Sequence, residues 1–540
     1  MISDKSLPEG EQYDVIIISG DAYADHPLCG AAVIARVLES EGYSVGIIDA
    51  PDWLEDSEFT KLGEPRLFFG ITSGSIDSMI DNYTPLIKER EEDEHKKYAP
   101  KKPDRAVIVY ANMVRRSFKK TPIVLGGVEA SLRRFAHFDY WSNKVRRPIL
   151  PETRADILAY GNAEHAIVEI AKRLDKGQPL DGIEGTCIAR NEAPPGFKIM
   201  PSFDEVFADK RKFCRMQLMF SNEANLAQKS GDKFILQYRS HRYTAEELDR
   251  VYELPYSREI PEKAEYLKGM QFSVLTHRGC IGNCSFCSIA LLQGTRIVSR
   301  SEESILREIE KLTKHKDFKG YIDDLGGPSA NMYGMDCHEC GSNCLVCKNL
   351  DRSHSKLIHL MERARQINGV KKIFVRSGIR YDLAIESRQY IKEISRHHIS
   401  GYLKIAPEHC NPHVLKLMNK YVPSALEKFV SVFREINKDT GQTLKYYVIA
   451  AHPGSTRREN EELKKFIEGV GKDAIIQTFT PTPMSMSTCM YYTGMDPRTG
   501  SEIYVPRGFR DKKVQKNVLM MAMKFHPGSP GKENRRRKMF

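Results

Sequence analysis

The chain has 540 residues, a formal net charge of +11 at pH 7, 41% hydrophobic and 28% charged residues. That length exceeds what one hydrophobic core serves, so about two or three domains are expected, and no apolar run approaches the ~18 residues of a membrane span. Twelve cysteines with no basic-then-apolar leader point to a cytoplasmic setting, where cysteines serve metals or redox chemistry rather than disulfides.

From its start the chain alternates strand and helix. Asp14-Val15-Ile16-Ile17-Ile18-Ser19-Gly20 is a continuous apolar run ended by glycine, as a strand buried on both faces should be. A helix over 28–41 follows, then strands over 44–49, 67–72 and 122–125, the last running into Gly126-Gly127. Asp156-Ile157-Leu158-Ala159 and a further helix close the unit. This order predicts a doubly wound α/β domain over residues 1–180. Residues 181–270 contain Pro194-Pro195-Gly196, Leu254-Pro255-Tyr256 and Ile260-Pro261 and show no clear period. They are expected to form a linker region packing on both neighbours.

Residues 271–500 alternate again, with strands expected over 272–276, 321–324, 372–376, 402–406, 446–450 and 474–479. Each runs into a glycine, proline or polar cluster, which predicts a six-stranded βα partial barrel whose carboxyl edge carries the chemistry. The first strand leads into Arg278-Gly279-Cys280-Ile281-Gly282-Asn283-Cys284-Ser285-Phe286-Cys287. Three thiolates there can hold three corners of a four-iron cubane and leave the fourth iron open. A zinc site would need a fourth ligand, and His277 is the nearest spare one. A helix over 301–315, opened by Ser301, precedes the second strand, which ends in Leu325-Gly326-Gly327-Pro328.

An insertion at 336–348 then carries Cys337, Cys340, Cys344 and Cys347 in a C-x2-C-x3-C-x2-C pattern. Four thiolates this close suit a second metal centre, zinc or iron–sulfur, and spacing alone does not choose between them. Later strands end at Ser377-Gly378-Ile379-Arg380, Pro407-Glu408-His409, Ala451-His452-Pro453-Gly454 and Thr480-Pro481-Thr482-Pro483. An arginine such as Arg380 offers a planar donor fork suited to a carboxylate. Cys29, Cys187, Cys214, Cys410 and Cys489 are expected to be small core fillers. Residues 501–540 form a C-terminal extension whose basic tail, 532–538, would attract a polyanion, although no RNA-reading motif accompanies it.

The cysteine triad resembles the CxxxCxΦC signature of radical S-adenosylmethionine (SAM) enzymes, with Phe286 as the aromatic position. More specifically, Asp25-His26-Pro27, Arg278-Gly279-Cys280, Asp324-Leu325-Gly326-Gly327-Pro328, Lys404-Ile405-Ala406-Pro407-Glu408-His409 and the run 477–497 resemble the YgiQ-type family of radical SAM proteins. The resemblance spans nearly the whole chain from Tyr13 to about Asp511. It implies an N-terminal Rossmann-like domain of the cobalamin-binding type followed by a radical SAM (βα)6 partial TIM barrel.

It further implies a 4Fe–4S cluster on Cys280, Cys284 and Cys287, with SAM at the open iron. Phe286 would lie near the adenine, Gly326 and Gly327 near the SAM amino group, and Ser377, Arg380 and Glu408 near its remaining polar groups. Pro328 stands where a glutamate is usual. Reductive cleavage of SAM would give a 5′-deoxyadenosyl radical for hydrogen abstraction from a substrate the family does not name, with a reductant such as flavodoxin or ferredoxin. Domains that hold cobalamin through a histidine carry D-x-H-x-x-G after the first strand. Here Asp25-His26-Pro27-Leu28-Cys29-Gly30 departs from that pattern, so cobalamin is not expected. Two other classes stay open: a non-catalytic iron–sulfur sensor and an RNA-modifying radical SAM enzyme.

Overall fold

A computed structural model describes residues 11–90, 100–337 and 344–523. The N-terminal half is built on one nine-stranded sheet. Across it lie Val45–Asp49, Val15–Ser19, Phe68–Thr72, Ile123–Leu125, Ile157–Ala159, Thr186–Arg190, Lys233–Gln237, Leu226–Ser230 and Lys198–Ile199. The first five run parallel, and their central residues Ile16, Ile18, Phe69, Ile123 and Leu158 are fully buried, because helices such as Gly30–Ser40 and Ala106–Ser117 cover the sheet. The order reverses between Val15–Ser19 and Phe68–Thr72, and crevices for ligands form at the carboxyl edge of such a switch point.

Residues 181–270 do more than connect. They pack on both halves, and four of their strands also extend the sheet, with antiparallel pairing of Thr186–Arg190 to Ile157–Ala159 and to Lys233–Gln237. Strands this short, broken by turns and paired with alternating direction, leave no sustained period in the sequence.

The six expected barrel strands are all present. Val274–Leu275 pairs parallel with Leu325–Gly326, and Tyr321–Ile322 with Lys372–Ile373. Tyr402–Glu408, Thr443–Ala450 and Ala474–Thr478 form one parallel sheet, and a parallel bridge from Ile379 to Ile405 joins the third strand's exit to the fourth. Helix Glu302–Leu312 opens at Ser301, whose hydroxyl accepts from the Ser304 N–H at 3.2 Å. Its buried stripe, Ile305, Ile309 and Leu312, packs into the barrel core.

The two halves share a single apolar core. Phe135, Phe138 and Tyr140 from the first half lie in it with Met418, Phe479, Met484, Cys489 and Tyr491 from the second. Phe138 stacks on Tyr492 with centroids 4.8 Å apart. The C-terminal helix Phe509–Ala522 adds a bolt: the buried Lys512 ammonium donates to Tyr140 Oη at 2.8 Å and lies 4.5 Å from the Tyr491 ring centroid.

A polar node joins the halves on another side. The Asp25 carboxylate holds Arg36 and accepts from the Ser257 N–H at 2.9 Å. His26 Nδ1 accepts from the Leu28 N–H at 3.1 Å, so Nε2 carries the proton that goes to the Gln271 carbonyl at 3.0 Å. Burial and the nearby Arg258 guanidinium push His26 down to about 3, so it stays neutral. Arg258 spans the carbonyls of Gln271 and Ser273 and ends on Glu308, which also receives Arg300. Asp25-His26-Pro27 is thus a joint between the N-terminal domain and the barrel. Among the described residues no helix is long and apolar enough to cross a membrane. The basic tail lies outside the described residues.

Candidate cluster and cofactor site at the barrel mouth

The triad occupies the loop that leaves the first barrel strand. Gly279 takes φ +87°, and a Cβ there would stand 1.8 Å from the Arg296 carbonyl oxygen, so only glycine lets this loop pass under the hairpin strand Val298–Ser299. Cys280 N–H then donates to the Gly294 carbonyl at 3.1 Å, and Cys287 N–H closes a turn on the Cys284 carbonyl at 3.0 Å. The three sulfurs are near enough to one another to interact electrostatically. Burial pushes the Cys287 thiol up to about 12 and raises that of Cys280, with neighbouring cysteine charge adding to the rise, while Lys420 pulls both down. A metal needs the thiolates, so cations beside them favour loading. Gly279→Ala is expected to lower iron per chain several-fold while far-UV circular dichroism stays close to wild type, because the clash falls on the loop and not on the sheets.

Arg380, from the third strand's exit, reaches this loop. Its Nη1 donates to Cys284 Sγ at 3.6 Å, and a Cβ on Gly282 would meet that same Nη1 at 2.4 Å. Its other face is held by Asp382, with Nε to Oδ1 at 3.0 Å. The carboxylate fork anticipated for a ligand is therefore filled from two residues along the chain, and the remaining N–H serves a sulfur. Ser377 likewise turns its hydroxyl to Asp324, whose other oxygen accepts from the Arg376 N–H at 2.7 Å.

Gly326 packs against Ala330, and Gly327 lies over the buried His277, whose ring carbon would stand 2.5 Å from an added Cβ. His277 Nδ1 meets Thr276 Oγ1 at 2.9 Å, and burial pushes it down to about 3. It is a floor under Gly327. Glu408 sits 8% exposed at φ +66°, at the register shift between Ile405 and Glu408, and accepts from Lys420 Nζ at 3.2 Å. His409 beside it is turned inward, its Nδ1 accepting from the N–H groups of Cys410 and Asn411 at 3.0 Å each.

Phe286 faces an aromatic wall. Its ring is edge-on to His452 at 6.4 Å, and His452 is edge-on to Phe479 at 5.1 Å. His452 Nδ1 donates to the Pro453 carbonyl at 2.7 Å, which leaves Nε2 to accept from the Ser487 hydroxyl at 2.7 Å. Ser487 N–H in turn donates to the Ser285 carbonyl at 2.8 Å, tying the last rim to the cysteine loop.

The expected residues thus fall in three neighbouring groups: Arg380 and Glu408 with the cysteines, Ser377 with Gly326 and Gly327, and Phe286 with His452. Sequence reasoning missed Asn419 and Lys420, which reach the loop from the turn after helix Pro412–Leu417. Asn419 in the left-handed region, φ 54°, is the one local signal, since asparagine tolerates it. Of the second cysteine group, Cys340 lies outside the described residues. Cys344 and Cys347 pack, together with Cys280, against one apolar cluster of Ile281, Ile297, Met332 and Met335, and Arg352 holds their turn through the Leu345 and Cys347 carbonyls at 2.8 and 3.0 Å.

A cavity of about 420 Å³ lies at the carboxyl edge of the N-terminal sheet, bounded by Tyr23, Gly126, Gly127, Gly161, Leu275 and Arg278. Arg278 is anchored there by Glu164 at 2.6 Å and Tyr252 at 3.0 Å.

Comparison with known proteins follows this geometry. The chain matches the families described as Radical SAM N-terminal over residues 3–271, Radical SAM superfamily over 274–467 and a domain of unknown function, DUF3362, over 474–526. It is 43% identical to the UPF0313 protein MJ1155 of Methanocaldococcus jannaschii, over 94% of this chain and 90% of that one. A UPF0313 protein of Methanocella arvoryzae is also 43% identical, with the same two coverages. Among solved structures it is similar to the radical SAM methyltransferase TsrM of Kitasatospora setae, with tryptophan substrate and a SAM analogue bound. There the TM-score is 0.52 and the identity 16%, over 88% of this chain and 76% of that one. The cobalamin-dependent radical SAM enzyme OxsB with aqua-cobalamin bound gives a TM-score of 0.50 at 12% identity, over 88% and 55%. The match at 43% identity over nearly the full length of these relatives makes this chain a member of the UPF0313 family of radical SAM proteins.

Proposed function

We propose that the protein is a radical SAM enzyme whose 4Fe–4S cluster is held by Cys280, Cys284 and Cys287 and whose SAM lies across Gly326, Gly327, Ser377 and Phe286. One observation carries the reading: three thiols on a single glycine-framed loop, at the carboxyl edge of six parallel strands, beside the cations of Arg380 and Lys420. The donor set fits the group, since three thiolates suit a cubane that keeps one iron for a non-protein ligand. When bound, cluster and SAM supply one-electron cleavage of a carbon–sulfur bond, yielding methionine and the 5′-deoxyadenosyl radical.

The chain's own part is placement and exclusion. The glycine pair lets a ligand approach the backbone closely, and the floor of His277 keeps that ledge rigid. The aromatic wall of Phe286, His452 and Phe479 offers an apolar face to a flat base and keeps water from that side. Arg380 serves the sulfur of Cys284 in this reading, rather than a ligand carboxylate. Cobalamin held through His26 is no part of it, because both ring nitrogens are committed to the joint between the halves. Cys337, Cys340, Cys344 and Cys347 would hold a second metal centre next to the first. An electron donor of the flavodoxin or ferredoxin kind and an unidentified substrate complete the proposal.

The test is anaerobic reconstitution of the full chain with iron and sulfide, followed by SAM and dithionite. Release of 5′-deoxyadenosine and methionine in equal amounts is expected. A fully loaded protein that leaves SAM intact under these conditions would favour the sensor instead.

A further inference from the structure

We infer that Lys420 and Glu408 are a buried charge pair that sets the reduction potential of the cluster, an inference that rests on the reading of Cys280, Cys284 and Cys287 as its ligands. The segment that carries Lys420 is fastened to the cysteine loop on both sides of Cys284. Met418 carbonyl accepts from the Ser285 N–H at 2.9 Å, and Asn419 Nδ2 donates to the Asn283 carbonyl at 3.0 Å. With its neighbours pinned in this way, Lys420 has little freedom to leave the loop. Its ammonium acts on the sulfurs of Cys280, Cys284 and Cys287 alongside Arg380, which donates to Cys284 Sγ at 3.6 Å and is paired in turn with Asp382.

The pair is costly where it stands. Lys420 and Glu408 have side chains only 10% and 11% exposed. Taking both charges out of water costs several kcal/mol per ion, which an apolar pair of the same volume would avoid. Glu408 also occupies a left-handed backbone conformation that a non-glycine residue adopts at a cost. Burial pulls the Lys420 ammonium down, but Glu408 together with the Cys284 sulfur lifts it above its ordinary value, so the group stays charged. Packing alone explains none of these expenses. An effect on a neighbouring charge does: adding one electron to the cluster adds one negative charge, which the buried cation stabilises and the buried anion opposes. Hydrogen bonding and charge near the sulfurs are established levers on such potentials.

The two partners therefore have opposite signs of influence, and that separates tuning from scaffolding. The reconstituted full chain, without SAM, is titrated with dithionite while the signal of the reduced cluster is followed by electron paramagnetic resonance. Lys420→Met is expected to move the midpoint to more negative potential, Glu408→Gln to more positive potential, and Lys420→Arg to leave it near wild type. Midpoints unmoved in both charge-removing variants, or moved in the same direction, overturn the inference. If Lys420→Met fails to load, Glu408→Gln decides alone, and a midpoint that stays or falls rejects the idea. A wild-type protein that assembles no cluster would instead defeat the ligand assignment, which the same titration reveals at its first step.

Discussion

Cys284→Ala is expected to remove essentially all cluster iron, about four atoms per chain, and to bring 5′-deoxyadenosine release to background, while Cys410→Ala leaves both unchanged. Two thiolates cannot hold a cubane that three hold at the minimum, and Cys284 is the member that also receives Arg380. Its loss should not unfold the chain, because the loop's backbone bonds to Gly294, Met418 and Ser487 involve no cysteine side chain. Cys410 makes a suitable control: it packs at the edge of a separate apolar cluster beside Val448, Leu463 and Ile467. Iron and acid-labile sulfide analysis, together with chromatography of the SAM products, read the outcome. Retention of the full iron complement in Cys284→Ala would remove the basis of the functional reading.

The second large effect is on stability. Asp77→Ala is expected to destabilise the N-terminal domain by about 3–5 kcal/mol, the range seen when one partner of a buried ion pair is deleted. Asp77 and Arg133 are each 1% exposed, and Arg133 Nη2 donates to Asp77 Oδ1 at 3.2 Å. The same oxygen accepts from the Met79 N–H at 3.0 Å and so caps the short helix Ser78–Asn82. Removing the carboxylate leaves the buried guanidinium with the Glu129 carbonyl as its remaining hydrogen-bond partner and uncaps that helix together. The double change Asp77→Leu with Arg133→Met should recover only part of the loss, since the buried Glu129 then loses the cation beside it. Guanidinium midpoints of the three proteins check this, and a single variant within 1 kcal/mol of wild type, about the worth of one ordinary hydrogen bond, would contradict the buried-pair account.

Legibility followed physical signal. Continuous runs such as Val15–Ser19 and Ile123–Leu125 revealed parallel strands, because burial on both faces demands apolar residues without alternation. The capping serine at 301 was readable for the same kind of reason: a local requirement writes itself into local residues. The antiparallel extension of the sheet by residues 181–270 was not readable, since pairing of Lys233–Gln237 with Thr186–Arg190 depends on partners far along the chain. The partner of Arg380 went unread as well, although Asp382 is only two residues away, because the sequence does not say which way a fork points. Lys420 lay hidden for a topological reason. Its neighbours in space, Glu408 and Cys284, are distant in sequence from each other, and a lysine in a polar turn carries no mark of burial.

The common core has a consequence for how molecules reach the cysteine loop. Sharing Phe138, Tyr140 and Tyr491, with Lys512 driven between the last two, the sheet and the barrel cannot swing apart as domains joined by a wet, polar contact do. Traffic must then pass through standing apertures, such as the cavity of about 590 Å³ that opens on Ile281 and Asn283. What fits through such a port, rather than what a closing jaw can grip, would filter the molecules that reach the cysteine loop.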